Sequence, residues 1–139
     1  MKIFYTDGSC SPNPGPGGYA VVESSQPVAL GFDKDSTNIR MEGQALIAAL
    51  KLVDGEPVKI HTDSEFWINV ITKWAPGWKA KGWKKKSGPI KNLDLVQELD
   101  KLYAASQAEL IWVKAHDGNE MNELADEWAN KARLQQLSV

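Results

Sequence analysis

Eight residues near the start, Ser11-Pro12-Asn13-Pro14-Gly15-Pro16-Gly17-Gly18, constrain the fold more than any other stretch. The prolines fix φ and remove backbone donors, and the glycines punctuate, so the stretch reads as a rigid turn that is neither helix nor central strand. Lys2–Thr6 before it and Tyr19–Glu23 after it read as strands. Val28–Phe32 reads as a third, reached through a Ser-Ser-Gln-Pro turn. The opening is therefore an antiparallel meander.

From about Thr37 the apolar period becomes helical: Met41, Ala45, Leu46, Ala49, Leu50 and Val53 recur on one face until Asp54-Gly55 and Pro57 stop the run. Val58–His61 reads as a short strand. Ser64 can cap a helix over Glu65–Lys73, which Pro76-Gly77 interrupts. Helices over Leu93–Ala105 and Asn122–Gln136 flank a last strand, Glu109–Val113. The order βββαβα(α)αβα predicts an α/β domain, a five-stranded mixed sheet with helices on both faces.

The chain of 139 residues suits one domain over 1–139. No apolar run reaches the length of about 18 residues that a membrane helix needs. The N-terminus meets Asp7 before any signal-like apolar stretch, and Cys10 is the one cysteine, which excludes an intrachain disulfide and a cysteine-rich zinc site. These features predict a soluble, cytoplasmic monomer. The net charge of −2 hides an asymmetry: Lys73–Lys91 holds seven lysines, three tryptophans and no acid. Outside it, nine basic side chains face all eighteen acids. A basic, aromatic protrusion at about 74–91 on an acidic protein points to a polyanionic partner held locally.

Asp7 ends the first strand, Asp63 ends the fourth, and Glu42 lies in the first turn of the first helix. Carboxyl ends of strands in such sheets form ligand sites. Asp126 lies within the last helix on a face shared with Asn122 and Ala129. Four converging carboxylates would repel one another unless a divalent cation were present, and all-oxygen ligands suit magnesium or manganese. Each acid alone also fits a helix cap, a dipole partner or a solvated surface group. Their combination is what argues for a site.

Thr6-Asp7-Gly8-Ser9-Cys10, Asn13-Pro14-Gly15-Pro16-Gly17-Gly18-Tyr19, Asn38-Ile39-Arg40-Met41-Glu42 and Thr62-Asp63-Ser64 together resemble type 1 ribonuclease H. Gly82-Trp83-Lys84, Lys91-Asn92-Leu93-Asp94, Trp112-Val113-Lys114-Ala115-His116 and Asn122-Glu123-Leu124-Ala125-Asp126 extend the resemblance, in order, to roughly residue 133. It implies endonucleolytic hydrolysis of the RNA strand of RNA–DNA hybrids, leaving 5′-phosphate and 3′-hydroxyl ends. It also implies Asp7, Glu42, Asp63 and Asp126 as ligands for two magnesium ions, with manganese able to substitute. His116 matches the family's mobile histidine, assisting proton movement or product release. His61 reads as structural or solvated.

The same resemblance places the RNA strand against Gly8, Cys10, Asn13, Asn38 and Glu65, which would sense the 2′-hydroxyl. For Cys10, a small residue fitted to a crowded turn explains the position as well. The DNA strand would meet Trp74, Lys79, Lys81, Trp83, Lys84, Lys85 and Lys86, with Thr37 and Asn92 forming a DNA-phosphate pocket. Trp78 and Trp83 are expected to brace the protrusion and Trp74 to face DNA. With this protrusion, the chain is expected to bind hybrids without a protein partner. It is expected to lack an added N-terminal hybrid-binding module, which argues against processive cutting. Ile39, Glu65 and Asp117 depart from the usual family residues, Glu65 by bringing an extra anion near RNA. A competing reading is a non-catalytic hybrid-binding module. An actin-like ATPase would need a second lobe. Integrases, transposases and junction resolvases share the architecture but place their carboxylates elsewhere and lack the tryptophan-lysine protrusion.

Overall fold

The computed structural model describes residues 2–85, 87–114 and 118–138. Strands β1 (Lys2–Cys10), β2 (Gly15–Glu23) and β3 (Gln26–Ser36) form the expected meander, and helix α1 (Asn38–Lys51) follows. Strand β4 (Pro57–Thr62) leads into a helical run: α2 (Glu65–Asn69), a π-helical segment (Val70–Trp74) and α3 (Ala75–Ala80). Helix α4 (Leu93–Ala104), strand β5 (Gln107–Trp112) and helix α5 (Glu120–Gln135) complete the order. The sheet runs β3-β2-β1-β4-β5, with β1 parallel to β4 and β4 parallel to β5.

Two expectations are corrected. The proline-glycine stretch is not all turn: Gly15–Gly18 belongs to β2, a strand flanked on both sides. Pro16 is tolerated because the β2–β3 register shifts between Gly15 and Gly17, a bulge where a missing donor breaks no ladder. Pro76-Gly77 does not interrupt the second helical run either. Pro76 falls in the first turn of α3, where an absent N–H has no partner to lose, and the π-helical segment before it takes up the change.

The core lies between the sheet and helices α1, α2 and α4, built from Phe4, Val21, Leu46, Ile60, Val70, Leu99 and the fully buried Trp67. The Trp67 indole N–H donates to the Ile39 carbonyl at 2.7 Å and its ring lies against Gly43, so α2 is locked to the start of α1. Helix α5 covers the other face through Ala129 and Ala132 on Ala20 and Leu30. Among the described residues no helix is long and apolar enough to cross a membrane.

Candidate active site

Register brings the acids together. Thr6 of β1 pairs with Thr62 of the parallel β4, strands about 4.8 Å apart, so Asp7 and Asp63 follow side by side. Asp63 comes directly after β4, whereas Asp7, expected to end the first strand, lies within β1, because pairing with β2 carries that strand on to Cys10. Glu42 arrives on α1 because residue 8 is glycine. A Cβ there would collide with the Met41 carbonyl carbon and the Glu42 backbone, so no other residue lets α1 approach β1 so closely. Thr37 sets where that helix begins, its hydroxyl accepting from Arg40 N–H at 3.1 Å. Ser64 caps α2 as expected, accepting from Trp67 N–H at 3.3 Å, and it also hydrogen-bonds the Glu42 carboxylate.

One carboxylate oxygen each from Asp7, Glu42 and Asp63 lies within 4.8 Å of the others. Asp7 is buried, and its Oδ1 accepts from Gly8 N–H at 2.8 Å. Burial first, then the Asp63 charge, with smaller contributions from Asp126 and Glu42, push Asp7 up to about 9 against the Gly8 hydrogen bond. Burial and Asp63 likewise raise Glu42 to about 7, against the Ser64 bond. Asp126, on α5, stands outside the tight group of three yet adds its charge to the field on Asp7. Three oxygen donors that repel one another in a partly buried site fit a hard divalent cation, which would relieve the repulsion.

The other expected residues separate into groups. Asn13 and Asn38 meet: the Asn38 N–H donates to Asn13 Oδ1 at 3.2 Å, and both residues are exposed, as is Glu65. Cys10 is buried, its thiol facing the carbonyls of Pro12, Gly15 and Ser36 at 3.2–3.4 Å, so its side chain ties the turn together. Asn92, in a left-handed conformation (φ 56°), accepts from Arg40 Nη1 at 3.2 Å, while Arg40 forks onto Asp94 at 2.7 and 3.0 Å. Arg40 thereby links the start of α1, capped by Thr37, to Asn92.

In the protrusion Trp78 and Trp83 pack partly buried on the core, whereas Trp74 is 44% exposed. Lys79 pairs with Asp100 at 3.3 Å and Lys85 lies over the Trp78 ring. Lys81 and Lys84 are exposed. Lys86 and His116, and with them Asp117, lie outside the described residues. His61 stacks on Tyr5 with ring centres 4.3 Å apart, a structural position.

Sequence reading missed Ser64 as the group that holds Glu42, and Arg40 as the link to Asn92. The Ser64 role has a faint signal, a hydroxyl directly after Asp63. The Arg40 link has none, since Asn92 is 52 residues away.

Comparison with known proteins gives one consistent answer. The family model described as RNase H matches residues 1–133. A Ribonuclease H of Granulibacter bethesdensis is 43% identical over 95% of this chain and 91% of its own length. One from Methylorubrum extorquens is 42% identical over 98% of this chain, which spans 61% of that longer relative. Among solved structures, LC9-RNase H1, described as a type 1 RNase H with the type 2 active-site motif, superposes with a TM-score of 0.85 at 30% identity. That superposition covers 99% of this chain and 74% of the other.

Proposed function

Because this chain belongs to the RNase H family, we propose that it is an endoribonuclease that hydrolyses the RNA strand of RNA–DNA hybrids, using divalent cations held by Asp7, Glu42, Asp63 and Asp126. The observation that carries the reading is the convergence of three carboxylates, from β1, α1 and the end of β4, on one point. When bound, two magnesium ions, or manganese in their place, supply the Lewis acidity that phosphodiester hydrolysis needs. The chain's own part is positional. Adjacent parallel strands set the spacing of Asp7 and Asp63, Gly8 admits Glu42, and the Ser64 hydroxyl hydrogen-bonds the Glu42 carboxylate.

His116 moves a proton near the leaving group or helps release product, and the products carry 5′-phosphate and 3′-hydroxyl ends. No protein nucleophile takes part. The exposed pair Asn13 and Asn38, together with the exposed Glu65 at the start of α2, faces the RNA strand. Trp74 and the lysines of the protrusion, among them the exposed Lys81 and Lys84, receive the DNA strand, with Thr37 and Asn92 at a DNA phosphate. The protein works as a monomer, without a partner domain.

The test is a labelled hybrid incubated with wild type and Asp7→Asn, with and without magnesium, beside duplex RNA, duplex DNA and single-stranded RNA. Cutting confined to the RNA strand of the hybrid, and lost in both chelator and the variant, is the expected outcome. Tight hybrid binding without cutting in either magnesium or manganese would make the protein a binding module instead.

A further inference from the structure

Asp126, Asn130 and Arg133 stand at i, i+4 and i+7 on α5, one polar line along the helix. It runs beside a second line, Asp7 and Ser9, two residues that share one face of β1. The lines meet because Gly18, the partner of Ser9 across the ladder, has no Cβ. One there would collide with the Arg133 amide nitrogen and the Ala129 carbonyl oxygen. Ser9 Oγ donates to Asn130 Oδ1 at 2.6 Å and accepts from Arg133 Nε at 3.1 Å. Arg133 Nη2 also donates to Asn130 Oδ1 at 3.3 Å, which turns the Asn130 amide hydrogens toward Asp126 Oδ2 at 3.5 Å.

A guanidinium has five N–H donors, and in this network Arg133 places two of them, on the neutral oxygens of Ser9 and Asn130. Neither acceptor cancels its charge. The result is a half-buried cation, fixed in direction, about 10 Å along the helix from Asp126. Planar forks so held suit phosphate oxygens better than a flexible ammonium does. The DNA-side lysines stand apart from it, on α3 and the segment that follows. Ser9 lies between Gly8 and Cys10, at the end of β1 assigned above to RNA.

We propose that Arg133, oriented by Ser9 and Asn130, binds a phosphate of the RNA strand one or two nucleotides from the scissile bond. Asn130 then couples that contact to the direction of the Asp126 carboxylate. The proposal rests on the hybrid-cleaving reading and deepens it by adding an anion contact to the RNA strand.

The test is a walk of single neutral methylphosphonates along each strand of a hybrid, with affinity measured in calcium, for wild type, Arg133→Gln and Arg133→Lys. Wild type should lose affinity about fivefold or more at one RNA position besides the scissile phosphate, and Arg133→Gln should be indifferent at that position alone. Its salt slope should be shallower by about 0.7–0.9, one released counterion. In magnesium, KM should rise more than kcat falls, and Arg133→Lys should recover part of the loss. If the position at which Arg133→Gln becomes indifferent lies on the DNA strand, or if slope and pattern are unchanged in Arg133→Gln, the proposal is overturned. Because the wild-type walk needs no variant, a folding defect in Arg133→Gln leaves the RNA position to be found or missed. Absence of hybrid cutting by wild type would instead indict the broader reading, separately from the binding pattern.

Discussion

The carboxylate cluster and the basic protrusion are built on opposite plans. Asp7, Glu42 and Asp63 sit on a sheet and a helix whose separation is set by backbone contact at Gly8, with Trp67 locking the neighbouring helices. The protrusion hangs on short helices and two half-buried tryptophans, with long lysine side chains at its surface. The proposed chemistry at a phosphodiester needs oxygen atoms placed to within about an ångström, which the rigid part supplies. The proposed attraction to phosphates is long-ranged and tolerates flexible side chains, which the exposed part supplies. The cluster strains the fold and the protrusion does not.

The sharpest way to break the contrast is at Asp7. Asp7→Asn should cut the rate of hybrid cleavage by about a thousandfold or more, while raising the stability of the cation-free protein on the order of 2 kcal/mol, because a buried, repelled carboxyl is removed. Steady-state cleavage and denaturant unfolding read the two effects. Lower stability in the variant would mean the acid is not strained.

Gly8→Ala comes next. Its Cβ would push α1 away from β1 and carry Glu42 with it. A displacement of about 1 Å should cost on the order of a hundredfold in kcat, and the clash about 2 kcal/mol of stability, read by cleavage kinetics and thermal unfolding. Alanines at Lys81 and Lys84 should behave differently. We expect KM to rise about fivefold and the salt dependence to flatten by roughly 0.7–0.9 per lost contact, with stability changed by less than about 0.5 kcal/mol. Lys79→Ala should move binding less than Lys84→Ala does, because Lys79 already pairs with Asp100.

Much of this division was legible in the residues. Asp63 stands directly after a strand and Glu42 near a helix start, local patterns that a linear reading captures, whereas Asp7 lies within a strand that runs further than its residues suggest. Ser64 as a cap and the braced roles of Trp78 and Trp83 follow the same logic. The early start of β2 and the helix through Pro76 were not legible, since a bulge and a π-helical segment absorb prolines that local rules treat as breakers. The Ser9–Asn130–Arg133 network was also hidden, because its hydrogen bonds join residues more than 120 positions apart. The pairing of Lys79 with Asp100 was hidden because a lysine in a basic run gives no hint of a partner on another helix.

A further expected effect concerns pH. Asp7 and Glu42 titrate near 9 and 7 in the fold against 3.8 and 4.5 for the free groups, so the folded state binds more protons across that interval. Their stabilising contribution is full below the unfolded values and is lost as pH rises through about 7 and then about 9. Thermal midpoints of the cation-free protein should therefore fall between pH 5 and pH 9, and Asp7→Asn should flatten that slope.

Magnesium titration followed by thermal unfolding, on wild type and Asp7→Asn at neutral pH, tests the central claim most directly. If the cluster is a cation site strained when empty, magnesium should raise the wild-type midpoint by about 3 °C or more and leave the already higher midpoint of the variant nearly unmoved. Equal shifts in both proteins, or none in wild type, would contradict a cation site built on Asp7.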